Sequence, residues 1–364
     1  MGYLGFGHKE RLSLVSESTD AIVPLTELPQ TEPPDETEAV EATGTEPELA
    51  IATQRLTKEF EEGVGVFDLD LEVPQGTIFG FIGPSGSGKT TTIRLMTGVV
   101  RPDSGQLAVL GRRPVEFDRR ARADLGYMPQ LSVLYPELSI RQNLSFAASL
   151  FGMGWHARRQ SIKETLGFVE LWDDRHRLLR EASGGMQRRL ALAATLIHKP
   201  ELLFLDEPTA GIDPVLRRKF WDHFLELKEQ GRTLFITTQY VGEAAYCDKV
   251  GVLAEGRLLT VDTPDGLRRQ AMGGEVLDLK FASSLDPVQI EELVKVASAS
   301  DWDQRRYGEY RLVVEDAGEV SPAIGTWAKE KGLELETAEP YLPPFDDVFV
   351  ELVGRLSDDE PNDG

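Results

Sequence analysis

The residues with the plainest chemistry are 83–90, GPSGSGKT. They match the phosphate-binding pattern G-x-x-x-x-G-K-[ST] at every fixed position. Gly83, Gly86 and Gly88 let the backbone curl so that its N–H groups point at phosphate oxygens. Lys89 reaches the β- and γ-phosphates as a point charge, and the Thr90 hydroxyl can ligate Mg²⁺. Pro84, Ser85, Ser87 and Thr91 complete the expected nucleotide-binding stretch. A second element, ELLFLDEP at 201–208, is an apolar strand ending in two carboxylates, the partner a phosphate loop requires. Asp206 is placed to hold Mg²⁺ through water, and Glu207 to orient or deprotonate an attacking water. A third, ASGGMQRR at 182–189, opens a helix. Ser183 is its N-cap, and Gly184 and Gly185 expose backbone N–H groups that could bind a second anion, although a Ser-Gly-Gly by itself reads first as a plain helix start. Phe60 lies ahead of the phosphate loop, where an aromatic either stacks on adenine or packs into the core.

These residues need a scaffold, and the sequence supplies one. Residues 77–82 (TIFGFI) read as a short buried strand before the loop, and 91–97 as a helix whose N-terminal dipole faces the phosphates. Residues 49–56 and 67–73 alternate as strands. Short strands follow at 107–110 and 125–128, with Gln130 just beyond the second. Residues 138–151 and 156–171 carry helical apolar spacing and form a helical insertion, about 131–182. Past the carboxylates come the AGIDP turn at 210–214 with Asp213, a helix at 215–230 and a buried strand at 233–238 ending at Gln239. A hairpin (250–253 and 257–261) and a short helix at 264–272 close this region. Residues 273–354 then alternate strands (275–281, 310–315, 333–337) with helices (287–297, 320–331, 345–353). That pattern predicts a separate small α+β accessory domain of ferredoxin-like character, without a catalytic cluster.

The chain has 364 residues and a net charge of −22. Residues 1–50 hold 11 acids and 2 bases, and 355–364 hold 4 acids and 1 base, so over half of the excess sits on acidic tails. The Pro-, Glu- and Thr-rich stretch over 1–48 is expected to be disordered, its first 14 residues being more apolar. An acidic body argues against nucleic-acid binding, and more Arg than Lys also fits a salt-loving source. No apolar run approaches a membrane span and no signal peptide is evident. The lone Cys247 excludes an internal disulfide and reads as a small core residue.

The ordered set GPSGSGKT, Gln130, ASGGM, LLFLDEP, AGIDP and TTQ resembles the ATP-binding subunit of ABC transporters over residues 49–272. The TTIRLMTG helix, the SGGM ending, TTQY and the tail YLPPFDDVFVELVG are similar to the drug- and antibiotic-exporter branch, the daunorubicin-resistance type. The resemblance implies an α/β phosphate-loop ATPase core with an antiparallel β part and a helical subdomain, using ATP and Mg²⁺. It implies that two copies pair head to tail, with ATP on residues 83–90 of one capped by Ser183, Gly184 and Gly185 of the other. Asp213 would cross that interface. Gln130 would bind Mg²⁺ or the attacking water and link the site to the helical insertion, which would contact an integral-membrane permease. Catalysis would fall to Glu207, Gln130, Lys89 and Gln239, on a peripheral subunit at the cytoplasmic face of the cell membrane. Two positions depart from the wider family. Gln239 stands where most members have His, so it can donate a hydrogen bond but carries no positive charge, and Met186 follows the signature glycines where many have Gln. Two rivals compete with the transport reading: a soluble ABC-type ATPase acting on ribosomes or DNA, and a non-catalytic ATP-binding regulator. The single cassette, with no repeat and no coiled-coil arm, opposes the first, and the intact Glu207 opposes the second.

Overall fold

The computed structural model describes residues 48–131 and 133–358. The chain runs β1 (Leu49–Glu61), β2 (Val64–Pro74), β3 (Ile78–Ile82), α1 (Lys89–Met96), β4 (Ser104–Val109), α2 (Arg119–Ala123) and β5 (Leu125–Met128). It continues through α3 (Ile140–Leu150), α4 (Trp155–Phe168), α5 (Gly184–Leu196), β6 (Leu202–Asp206), α6 (Pro214–Glu229), β7 (Thr233–Thr238), β8 (Lys249–Ala254), β9 (Arg257–Asp262) and α7 (Pro264–Met272). The last elements are β10 (Glu275–Phe281), α8 (Pro287–Val296), β11 (Asp301–Arg306), β12 (Glu309–Val314), α9 (Ala317–Glu330), β13 (Leu335–Tyr341) and α10 (Phe345–Asp358). The expected acidic N-terminal tail lies, but for Glu48, outside the described residues, as do the last six residues of the C-terminal tail.

Two sheets meet at the site. The strands β5-β6-β7-β3-β8 are parallel, with β9 antiparallel at the edge. Residues in β3, β6 and β7 are buried throughout, as continuous apolar runs require of a sheet covered on both faces. Alternation divides them. Ile78, Ile82, Leu203, Leu205, Leu234 and Ile236 face the helices. Phe79, Phe81, Phe204 and Phe235 face α1 and the antiparallel sheet β2-β1-β4, with Phe79 and Phe235 stacked at 5.5 Å. The β1–β2 hairpin is longer than its apolar alternation predicts. Its polar end, TKEF, has no apolar face to bury and is carried by backbone pairing through to Glu61 opposite Val64.

The helical insertion is α3 and α4 packed on α5. A capping box starts α3, Ser139 accepting from the Gln142 amide and Gln142 from that of Ser139. Asn143, nearly wholly buried, bonds both backbone groups of Tyr135 and so fixes the loop leading from Gln130.

The C-terminal strands form the antiparallel sheet β11-β12-β10-β13 in a β-α-β-β-α-β chain order, with its own core around Leu277, Leu279, Tyr310, Leu312, Ile324 and Trp327. Strand β11 is one that residue pattern does not announce. DWDQRR has no buried face, and it pairs because β12 offers an open edge. The last helix departs from the expected module. Phe345, Val348 and Leu352 of α10 join the core of the first region, where α10 packs on α7 and on the 3-10 turn Val241–Tyr246. It also runs to Asp358, into the stretch expected as an acidic tail. Among the described residues no helix is long and apolar enough to cross a membrane.

Candidate nucleotide site

The loop between β3 and α1 needs glycine at three places, for its backbone turn or for want of room. Gly86 and Gly88 have φ of 85° and 104°, and a Cβ on Gly83 would lie 2.2 Å from the Leu253 carbonyl oxygen. Gly88 caps α1, which therefore starts at Lys89 rather than at Thr91 as expected. The loop is braced from beside it, the Gly256 amide donating to the Ser87 carbonyl at 3.1 Å. Lys89 folds back to donate to the Gly83 and Pro84 carbonyls at 2.8 and 3.0 Å. Burial pulls its ammonium below the ordinary lysine value of 10.5, while Glu207 and Asp206 oppose the shift.

The two carboxylates leave β6 in different directions. Asp206 accepts from Thr90 Oγ1 at 2.9 Å on one oxygen and from Thr237 Oγ1 at 2.7 Å on the other. Glu207 has a φ of 47°, a left-handed conformation unusual for its type. Its amide is held by the Thr237 carbonyl and hydroxyl at 3.1 and 3.0 Å. Its side chain thereby joins the cleft, accepting from Gln130 Nε2 at 2.9 Å and lying 3.8 Å from Lys89 Nζ. Arg188, buried in α5, fastens the arrangement from behind. It donates to the carbonyls of Pro208 and Gln130, each at 2.7 Å, and to those of Asp206 and Glu207. Burial lowers its pKa, with Asp206 and Glu207 offsetting the cost.

A cleft of about 190 Å³ is lined by Ser85, Gly86, Gly88, Lys89, Thr90 and Thr91, by Gln130 and Glu207, and by Phe60, Val64 and Gly65 of the hairpin. Phe60 is 53% exposed, so it is no core residue. Its ring borders the cleft, with Lys58 Nζ 5.4 Å from its centroid. A larger groove, about 1290 Å³, runs over β1, β2 and β4 but holds none of the phosphate-loop or carboxylate residues. The phosphate-loop residues and Glu207 therefore belong to the smaller cleft.

The donor set fits Mg²⁺. Thr90 and Asp206 bring hard oxygens within 2.9 Å of each other, Thr90 lines the cleft together with Gln130, and Ser87 Oγ is buried in the loop without a hydrogen-bond partner among the described residues. The other expected residues lie elsewhere in the same chain. Ser183 caps α5 by accepting from the Met186 amide at 3.3 Å, and Ser183 and Gly184 are exposed. Asp213 caps α6, accepting from the Val215 and Leu216 amides at 3.0 Å, and is exposed. Gln239 is exposed just past β7 and does not line the cleft. Sequence reasoning assigned no role to Arg188 or Thr237. Arg188 was visible only as an arginine after the glycine pair, and Thr237 only as a hydroxyl at a strand end.

A phosphate loop opening a helix, opposed by a strand ending in an acid pair, defines a phosphate-loop nucleotide hydrolase. Residues 66–210 match the family model described as ABC transporter. The chain is 35% identical over 310 residues to the daunorubicin resistance ATP-binding protein DrrA3 of Streptomyces coeruleorubidus, covering 84% of this chain and 96% of that protein. It is 37% identical over 266 residues, 73% of its length, to the probable multidrug ABC transporter ATP-binding protein YbhF of Escherichia coli (strain K12), and the match spans 44% of that relative's length. The ATP-binding cassette MJ0796, solved as a dimer in a post-hydrolysis state with ADP and Pi, shares the fold at 23% identity with a TM-score of 0.54, over 58% of this chain and 98% of that one. The chain belongs to the ATP-binding subunits of ABC transporters, and it is an ATPase related to those of multidrug and daunorubicin-resistance systems.

Proposed function

We propose that this subunit energises a membrane exporter, working as a head-to-tail dimer whose ATP sites form between two copies and docking on a separate permease. One observation carries the reading: a single cleft brings together the phosphate loop, Glu207 and Gln130, with Asp206 buried behind it on the Thr90 hydroxyl, while a second capped helix N-terminus, Ser183–Gly184, stands exposed outside it. A phosphate held in the cleft would be open to a second donor, and a helix N-terminus with Ser183 and Gly184 exposed suits that role.

In this reading Lys89 exchanges its two backbone carbonyls for phosphate oxygens and balances charge as the γ-phosphoryl departs. Glu207 orients the attacking water and accepts its proton. Gln130, bonded to Glu207 through its side chain and to Arg188 through its carbonyl, holds that carboxylate in line. Mg²⁺, held by Thr90, Gln130 and Asp206, would neutralise charge on the phosphates when bound. Gln239 contributes as a hydrogen-bond donor after dimer closure. The placement of Glu207 disfavours a binding-only regulator.

The permease would dock at the helical insertion. Leu131, Val133, Tyr135, Phe146 and Leu150 are exposed apolar side chains of the insertion and of the segment leading into it from Gln130, with Tyr135 edge-on to Phe146 at 4.9 Å. Likeness to DrrA3 along nearly its whole length supports a drug, antibiotic or lipid-like cargo. Phosphate release by the full chain, alone and in proteoliposomes with a candidate permease, tests this. Stimulation that Val133→Asp abolishes, basal turnover being kept, is expected. Equal rates with and without the membrane protein would contradict the reading.

A further inference from the structure

The geometry points to Glu243 as a positioning residue for hydrolysis: its buried carboxylate ties together the loop after Glu207, the first turn of α6 and the turn after Gln239. The inference rests on the ATPase reading of the cleft and adds a residue to it.

Glu243 lies in the 3-10 turn Val241–Tyr246 and is 3% exposed. Its Oε1 accepts from Thr209 Oγ1 at 2.7 Å. Thr209 is fully buried midway along the loop that has Glu207 at one end and Asp213 at the other. Arg217 Nε lies 3.6 Å from the same carboxylate oxygen, one turn into the helix that Asp213 caps. The Arg217 guanidinium sits over the Tyr240 ring, 4.2 Å from its centroid, and Tyr240 is the neighbour of Gln239. The turn closes on itself, the Glu243 amide donating to the Tyr240 carbonyl at 3.0 Å. One carboxylate therefore reaches the catalytic acid's loop, the start of α6 and the segment carrying Gln239.

Packing alone does not require an acid there. Ala244 beside it lies in the main apolar core, and a buried carboxylate costs free energy unless it is fully paired. It is not fully paired: Glu243 Oε2 and Arg217 Nε are both buried without a hydrogen-bond partner among the described residues. Closing the 3.6 Å gap to the roughly 2.8 Å of a charge-assisted bond would satisfy the Arg217 Nε, and a small further turn of the guanidinium would reach Oε2. The pair is thus built for a slightly closer approach of α6 to the turn. The turn is held from its other side by α10, so the movable partner is the start of α6, where Asp213 and Val215 are exposed for a second copy.

The test compares wild type, Glu243→Gln, Arg217→Gln and the double variant as full chains, by ATP hydrolysis, thermal melting and hydrogen exchange in MgATP. Glu243→Gln is expected to lower kcat about tenfold with KM within about twofold and an unchanged melting temperature, because the group acts on positioning and not on ATP binding. The double variant should be no slower than the slower single one, as one shared interaction requires. Amides of residues 209–213 and 239–246 should exchange faster in Glu243→Gln. An unchanged kcat, a kcat loss that merely follows a fall in melting temperature, or two single effects that multiply would overturn the inference. If Glu243→Gln does not fold, Arg217→Gln, changed at a partly exposed side chain, must show the same kcat loss, and a normal kcat there overturns it. A wild type without turnover counts against the ATPase reading, and the exchange result then decides this inference by itself.

Discussion

Arg188→Ala should be among the most damaging substitutions near the site, although the side chain does not line the cleft. The guanidinium makes two well-formed bonds, to the Pro208 and Gln130 carbonyls, and caps the carbonyls of Asp206 and Glu207. Bonds from a charged donor to these carbonyls contribute roughly 1.5–3 kcal/mol each, and loss of a buried positive charge near Asp206 and Glu207 points to about 3–5 kcal/mol. The second figure is the better guide, because water entering the space left by the side chain repairs part of the loss. For a domain of this size 1 kcal/mol moves the melting temperature by about 2–4 °C, which predicts a fall of roughly 6–20 °C. Arg188→Lys keeps the charge but not the fork, and should fall between wild type and Ala. Melting followed by circular dichroism gives the stability, and hydrolysis measured well below each transition gives the catalytic loss, expected to exceed about tenfold because Gln130 and Glu207 lose a common anchor. A variant melting within about 2 °C of wild type with normal turnover would refute the role assigned to Arg188.

Three further outcomes follow from single residues. Gly184→Asp should fold normally, since a Cβ there meets nothing within 4 Å, with a stability change inside about 0.5 kcal/mol, yet under the proposed head-to-tail dimer it should lose turnover by placing a carboxylate against the partner's phosphate. Normal turnover would remove Gly184 from the site. Lys89 holds its proton less tightly folded than unfolded, so the unfolded chain carries more protons as pH rises towards 10.5. Stability of the nucleotide-free chain should therefore gain from Lys89 as its folded form deprotonates, and urea midpoints should show that gain missing in Lys89→Met. Burial pushes the Cys247 thiol well above its ordinary value, with Glu243 and Asp248 adding to the shift. Iodoacetamide at pH 8 should label it only as fast as the fold opens, whereas labelling at the rate of a free thiol would contradict that burial.

The phosphate loop and the acid pair were legible because their chemistry tolerates few residue types at fixed spacing. Gly83, Gly86 and Gly88 are forced by backbone geometry, and Asp206 and Glu207 by charge at the end of an apolar strand. The buried strands were legible too, because runs such as LLFLD have no polar face to show. What escaped was held by partners distant in sequence. Thr237 looks like any strand threonine until β6 and β7 pair and bring its hydroxyl to Asp206. Arg188 gains its role only when α5 is laid behind the end of β6. Strand β11 exists because β12 has an edge to fill, and α10 carries a helical stripe whose target, α7 and the turn at Val241–Tyr246, no local pattern names. Gln239, expected from its place after a buried strand to donate a hydrogen bond at the nucleotide, lies exposed and outside the lining of the cleft.

The most direct test of the account is Glu207→Gln in the full chain, assayed for phosphate release and run on gel filtration with MgATP. The amide can keep its contact with Gln130 but cannot accept a proton, so turnover should fall to background while ATP remains bound and the chain elutes as a dimer. A Glu207→Gln chain that still hydrolyses ATP near the wild-type rate, or that binds MgATP and stays a monomer, would contradict it.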